Sequence, residues 1–220
     1  MSRREDIIGR VRAGLGREEA NTVAARKDID AALAARVQGP RPAMPTDIAA
    51  LTTRFVDKSL AQSSTLDRVA TLADAPAAIA RYLSGMSLPL SAVIWPSLAG
   101  LDWRAAGLEV AARGAVDSDM VGITGCYCAI AETGTLMACS APDHPPTVSL
   151  LPETHVALVP MSRIVPGMED AWALARAELG RLPRAVNFIS GPSRTGDIEQ
   201  TIVLGAHGPY RVHLVIVEGE

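Results

Sequence analysis

His155-Val-Ala-Leu-Val159, a helical run from roughly Met168 to Leu179, and Ala185-Val-Asn-Phe-Ile189 together decide the fold class. Short apolar runs bounded by turn residues read as buried strands, and the stretch between them carries the apolar spacing of a helix. The same alternation extends toward the N-terminus. Val69–Leu72 is a short apolar run, and Asp74 then caps a helix that tolerates Pro76 in its first turn. That helix places Ile79, Tyr82, Leu83 and Met86 on its buried face, and Ala92–Trp95 and Leu108–Ala112 read as further strands. Toward the C-terminus, Val212–Val217 reads as a final strand. Strands separated by helices of this length imply an α/β fold with a largely parallel sheet covered on both faces.

Residues 1–62 read differently, as a helical extension preceding an α/β domain over 63–220. Ser2 and Glu5 form a capping box, with Ile7, Val11 and Leu15 at helical spacing before Gly14 and Gly16 stop the run. A second helix can start at Asp28, with Ile29, Leu33 and Val37 on one face. A third follows the proline-rich hinge Pro40–Pro45, capped by Thr46, with Ile48, Leu51 and Phe55 along one side. The apolar stripes are narrow, so this segment reads as an arm that packs on the main domain or on a partner.

Composition bounds the function. The chain has 220 residues, 48% of them hydrophobic and 20% charged, with a formal net charge of -3. A slightly acidic balance argues against sequence-independent nucleic-acid binding, which needs a basic face to displace counterions from phosphates. The charged start, Ser2-Arg3-Arg4-Glu5-Asp6, has no apolar run behind it, so neither a secretory signal nor a membrane span is expected and the cytoplasm is the expected location. Three cysteines, Cys126, Cys128 and Cys139, are then expected as reduced thiols.

Two stretches carry candidate chemistry. In Val121-Gly-Ile-Thr-Gly-Cys-Tyr-Cys-Ala-Ile-Ala-Glu-Thr-Gly-Thr-Leu-Met-Ala-Cys-Ser140, a turn Glu132-Thr133-Gly134-Thr135 joins strands Ala129–Ala131 and Leu136–Cys139. Its glycine lets the backbone approach a ligand closely, and Thr133 and Thr135 offer hydroxyls. Glu132 in this apolar setting reads either as a nucleophile or general base, or as a carboxylate accepting hydrogen bonds from turn amides. Cys126-x-Cys128 lacks the second thiolate pair that zinc or an iron–sulfur cluster requires, so no metal site is expected and the thiols read as small hydrophobes.

In the second stretch, strand Val186–Ser190 runs into Gly191-Pro192-Ser193-Arg194-Thr195-Gly196-Asp197-Ile198-Glu199. The carboxyl end of a strand is where open α/β sheets bind ligands. Backbone amides with Ser193 and Thr195 can cradle an anion, and Arg194 offers a two-pronged grip on carboxylate or phosphate. Asp197 and Glu199 either cap the following turn or neutralise Arg194. The lysine of a phosphate-binding P-loop is missing. His207, between glycines in Leu204-Gly-Ala-His-Gly-Pro209, can reach a site, whereas His155 and His213 read as core and His144 as a surface-loop residue.

Taken in order, Ala129-Ile-Ala-Glu-Thr-Gly-Thr-Leu136, Ser149-Leu-Leu-Pro152, Ile164-Val-Pro166, Ser190–Gln200 and Val203–Pro209 resemble the lactate utilisation protein C family, a branch of the LUD-domain proteins. Gly196 departs from the alanine expected there. The resemblance implies a three-layer α/β/α sandwich with a mostly parallel sheet, like that of the CoA transferases and ribose-5-phosphate isomerases, plus the helical N-terminus. It also implies work beside iron–sulfur partner proteins that oxidise L-lactate to pyruvate, with the clusters in those partners and no cofactor in this chain. Two other readings stand beside it. One is an acyl- or CoA-transferring enzyme in which Glu132 forms a thioester. The other is a thiol-based metal or redox module built on Cys126 and Cys128.

Overall fold

The computed structural model describes residues 3–16, 19–198 and 201–219. Its contacts divide the chain into two units, Met1–Ala43 and Met44–Glu220. The first holds α1 (Arg3–Gly14) and α2 (Glu19–Ala35), on which Ile7, Val11, Ile29 and Leu33 are exposed, as is Leu15 just beyond α1. The expected cap at Ser2 lies outside the described residues. α2 begins at Glu19 rather than at Asp28, because Val23 and the alanines around it extend the helix backward.

The second unit opens with α3 (Ile48–Ala61), whose N-cap is Asp47 rather than Thr46. The Asp47 carboxylate accepts from the Ala50 amide at 2.9 Å. Then follow β1 (Thr65–Val69), α4 (Ala75–Gly85), β2 (Ser91–Ile94), β3 (Glu109–Ala112), β4 (Val121–Thr124), β5 (Cys128–Ile130) and β6 (Thr135–Cys139). The rest comprises α5 (Thr147–Leu150), β7 (Thr154–Pro160), β8 (Ile164–Val165), α6 (Met168–Leu179), β9 (Val186–Ile189), β10 (Arg194–Ile198), β11 (Thr201–Leu204) and β12 (Arg211–Val217).

Six strands form one wholly parallel sheet in the order β1-β12-β7-β4-β2-β3. Its residues alternate between two cores, as the pleat requires. Val156 and Leu158 of β7 and Val215 and Val217 of β12 pack with Ala78, Ile79 and Leu83 of α4. Ala157, Val159, Leu214 and Ile216 turn to the other face and meet Leu51 and Phe55 of α3 together with Ala129 and Leu136. The protein is thus an α/β sandwich built on a parallel sheet covered on both faces. α3, read from sequence as part of the N-terminal arm, supplies two side chains of the central core because its stripe faces that sheet.

A smaller mixed sheet, β8-β5-β6-β9, lies behind the second core, and α6 backs it through Ala171 and Ala175 against Cys128, Ile130 and Met137. Here the sequence reading is corrected. Val186–Ile189 does not join the parallel sheet with β7 but pairs antiparallel with β6. It is a half-buried edge strand with Phe188 exposed, and α6 joins β8 to it within the smaller sheet. A second difference concerns Val121–Thr124, which the sequence reading assigned to no strand. It is a fully buried strand at the centre of the parallel sheet. The third concerns Arg194–Ile198, which pairs antiparallel with Thr201–Leu204 as a hairpin instead of leading into a capped turn.

Candidate functional site

The two turns singled out from the sequence meet at the C-terminal end of α3. Thr135 and Ser190 hydroxyls lie 2.7 Å apart, and Thr133 Oγ1 donates to Thr135 Oγ1 at 2.8 Å. Ser59 Oγ donates to the Gly134 carbonyl at 3.3 Å, and Gln62 Nε2 donates to the Thr133 carbonyl. Gly134 (φ 68°) and Gly191 (φ 74°) occupy the left-handed region, and a Cβ on Gly134 would stand 2.6 Å from the Ser59 nitrogen. At Gly191 it would stand 2.5 Å from the Gln62 carbonyl oxygen. The close approach that these glycines permit is therefore to the backbone of α3.

Arg194 belongs to the same junction. Its Nη2 donates to the Gln62 carbonyl at 3.3 Å and to the Ser63 hydroxyl. Ser193 is held by its backbone, donating to Pro209 at 2.8 Å and accepting from Gly205 at 3.0 Å. Thr195 is half-buried and Asp197 lies within β10, while Glu199 falls outside the described residues. The Glu132 amide donates to the Pro166 carbonyl at 2.9 Å. Its half-buried carboxylate has no hydrogen bond or ion pair among the described residues. His207 is exposed on the loop after β11. The structure thus gathers Thr133, Gly134, Thr135, Gly191 and Arg194 around one helix end.

A separate cavity of about 210 Å³ opens at the carboxyl ends of β2 and β4, lined by Trp95, Ser97, Gly125, Cys126, Tyr127, Cys139, His144 and Arg163. The sequence reading took Trp95 as the last residue of the strand Ala92–Trp95 and gave it no role, and it left Ser97 and Arg163 aside. His144, expected on a surface loop, stacks on Trp95 with ring centroids 4.4 Å apart, and Trp95 Nε1 donates to the Pro145 carbonyl at 3.1 Å.

Arg163 is rigidly held on the other side. Its Nε donates to the Tyr127 carbonyl at 2.8 Å, and its two terminal nitrogens donate to Glu178 at 2.8 and 2.9 Å. The Tyr127 hydroxyl donates to Glu178 at 2.7 Å. These bonds from Arg163, and then from Tyr127, hold the Glu178 carboxyl down at about 2. Burial, reinforced by Glu178, pushes the Tyr127 phenol up to about 12.

The thiols are protonated at neutral pH. Burial pushes Cys126 and Cys128 up to about 12 and also raises Cys139. A thiolate is the form that binds metal or attacks an electrophile, so these sulfurs act as apolar lining. Among the described residues, no three His, Cys, Asp or Glu side chains converge as metal ligands do. No helix among the described residues is long and apolar enough to cross a membrane.

A DUF162 family protein from Deinococcus radiodurans superposes with a TM-score of 0.59 at 25% identity, covering 79% of this chain and 100% of that one. Lactate utilization protein C of Bacillus licheniformis is 36% identical over 130 residues, 56% of this chain and 53% of its own length. The protein of the same name from Exiguobacterium sp. is 41% identical over 118 residues, 52% of this chain and 51% of its own. That from Bacillus subtilis is 41% identical over 100 residues, 44% and 42% respectively. The chain spans about half the length of the curated relatives it matches. The LUD domain matches residues 96–217, a stretch that includes both turns and nearly all of the cavity lining. The chain belongs to the LUD domain family.

Proposed function

We propose that this protein serves lactate utilisation, as a component without iron–sulfur clusters that works beside iron–sulfur partner proteins and binds a small anion. The observation that carries this reading is its 36–41% identity to proteins named Lactate utilization protein C in three bacteria. The α3 junction supports the anion-binding part. Thr133, Thr135 and Ser190 present linked hydroxyls there. Arg194 uses only Nη2 among the described residues, which leaves Nε and Nη1 to donate. Gly191, Ser193, Thr195, Asp197, Glu199 and His207 complete the proposed surroundings.

Deleting the gene in its own host and scoring growth on L-lactate as sole carbon source tests the role. Lost growth, restored by the wild-type chain, is expected, and unimpaired growth overturns the reading. For the anion at this junction, Arg194→Lys loses the planar fork and weakens inorganic phosphate binding about tenfold to a hundredfold, equivalent to roughly 1.5–3 kcal/mol. The unpartnered Glu132 carboxylate favours one second reading, acyl transfer through a glutamyl thioester. Incubation with acyl-CoA followed by mass spectrometry decides it. A stable adduct on Glu132 moves the assignment to a transferase, and its absence leaves the lactate role in place.

A further inference from the structure

The cavity between β2 and β4 lies at a special point of the parallel sheet. From β2 the chain continues outward to its neighbour β3, whereas from β4 it passes through β5 and β6 of the smaller sheet and returns to the parallel sheet at β7, on the opposite side. Where connections leave adjacent parallel strands in opposite directions, a crevice opens outside their carboxyl ends, and open α/β sheets bind ligands there. Trp95 and Ser97 follow β2 directly, and Gly125 and Cys126 follow β4 directly, so the two walls of the cavity are the two sides of that crevice.

Its size and lining restrict what fits. A volume near 210 Å³ lies below the range of drug-sized pockets. The stacked rings of Trp95 and His144 and the Cys126 sulfur give an apolar wall. Ser97, His144 and Arg163 are polar residues of the lining. Arg163 is already fixed by Tyr127 and Glu178, so a ligand meets a cation that loses no further rotamer freedom on binding.

We infer that this crevice is a binding site for a short 2-hydroxy or 2-oxo carboxylic acid, with the carboxylate toward Arg163 and His144 and the aliphatic end against Trp95 and Cys126. The choice of acid rests on the proposed role in lactate utilisation, whereas the site itself rests on the topology and the cavity.

Gly125 gives a direct test, because a Cβ added there would stand 3.6 Å from the Trp95 ring, in ordinary contact. Gly125→Ala is therefore tolerated, while Gly125→Val projects branched methyls into the space a ligand would use. The purified full chain is titrated with L-lactate, pyruvate, acetate and inorganic phosphate while Trp fluorescence and ligand NMR line widths are followed. Saturable binding of lactate or pyruvate is expected, weakened at least tenfold in Gly125→Val, Ser97→Ala and His144→Gln. The melting temperature of Ser97→Ala checks that the fold is intact. Binding unchanged in these variants, or no saturation by any of the four probes, overturns the site. If growth on lactate is unaffected by gene deletion while pyruvate binding is lost in Gly125→Val, the biological role falls and the crevice stands.

Discussion

Two buried histidines make the fold sensitive to acid. His155 and His213 sit on neighbouring strands of the parallel sheet. His155 Nε2 pairs with the Thr124 hydroxyl at 2.8 Å. His213 Nδ1 pairs with the Thr65 hydroxyl at 2.9 Å, and its ring stacks on Tyr82 at 3.7 Å. Burial holds each down at about 4, with Asp67 partly opposing it at His213. The unfolded chain takes up these protons below about pH 6.5, while the folded protein stays neutral until about 4. Stability is therefore complete above pH 6.5 and drains away as pH falls through that window, by up to about 1.4 kcal/mol per pH unit for each ring. Urea unfolding between pH 7.5 and 4.5 should show this slope, reduced by one proton in His155→Gln. A flat profile would remove the argument. Cys126 supports a second prediction at this scale. Its raised titration predicts alkylation by iodoacetamide at pH 7.5 far slower than that of a free thiol.

Among the elements, α3 turns out to be the organiser of the motif turns. Gly134 and Gly191 combine positive φ with backbone of α3 in the position a side chain would take. Gly134→Ala and Gly191→Ala should each destabilise by about 1–3 kcal/mol, read as a lowered denaturant midpoint with an unchanged slope. Sequence alone marked these glycines as special and explained them by a ligand. It had no means of showing that a helix distant in sequence fills the same space. The hairpin was hidden for a related reason. Arg194–Ile198 has the hydroxyls and glycine of a binding loop, and only pairing with Thr201–Leu204 makes it a strand. By contrast α6, with clear helical periodicity, was read to its end residues.

Over the whole molecule, the parallel sheet was legible because β7 and β12 carry the apolar runs Val156–Val159 and Leu214–Val217. β4 escaped because Gly122 and Thr124 disguise it. The cavity at its end escaped with it, since a crevice between strands depends on their order in space. The extent of the folding unit is open to direct measurement. A chain starting at Met44 keeps Leu51 and Phe55 in the core and is expected to unfold cooperatively, whereas one starting at residue 63 loses both. Phe55→Ala in the full chain should cost roughly 3–5 kcal/mol.

The place of β12 has a consequence for the timing of assembly. Residues 211–217 fill the gap between β1, begun at residue 65, and β7. While the chain emerges from the ribosome, β1 has no partner in the parallel sheet until those late residues arrive. At roughly 5–20 residues per second, the interval from β1 to β12 lasts on the order of ten seconds. Once residues 154–160 have emerged, the edge of β7 stays open to other chains until β12 arrives, so newly made protein, rather than mature protein, is the form that needs a chaperone.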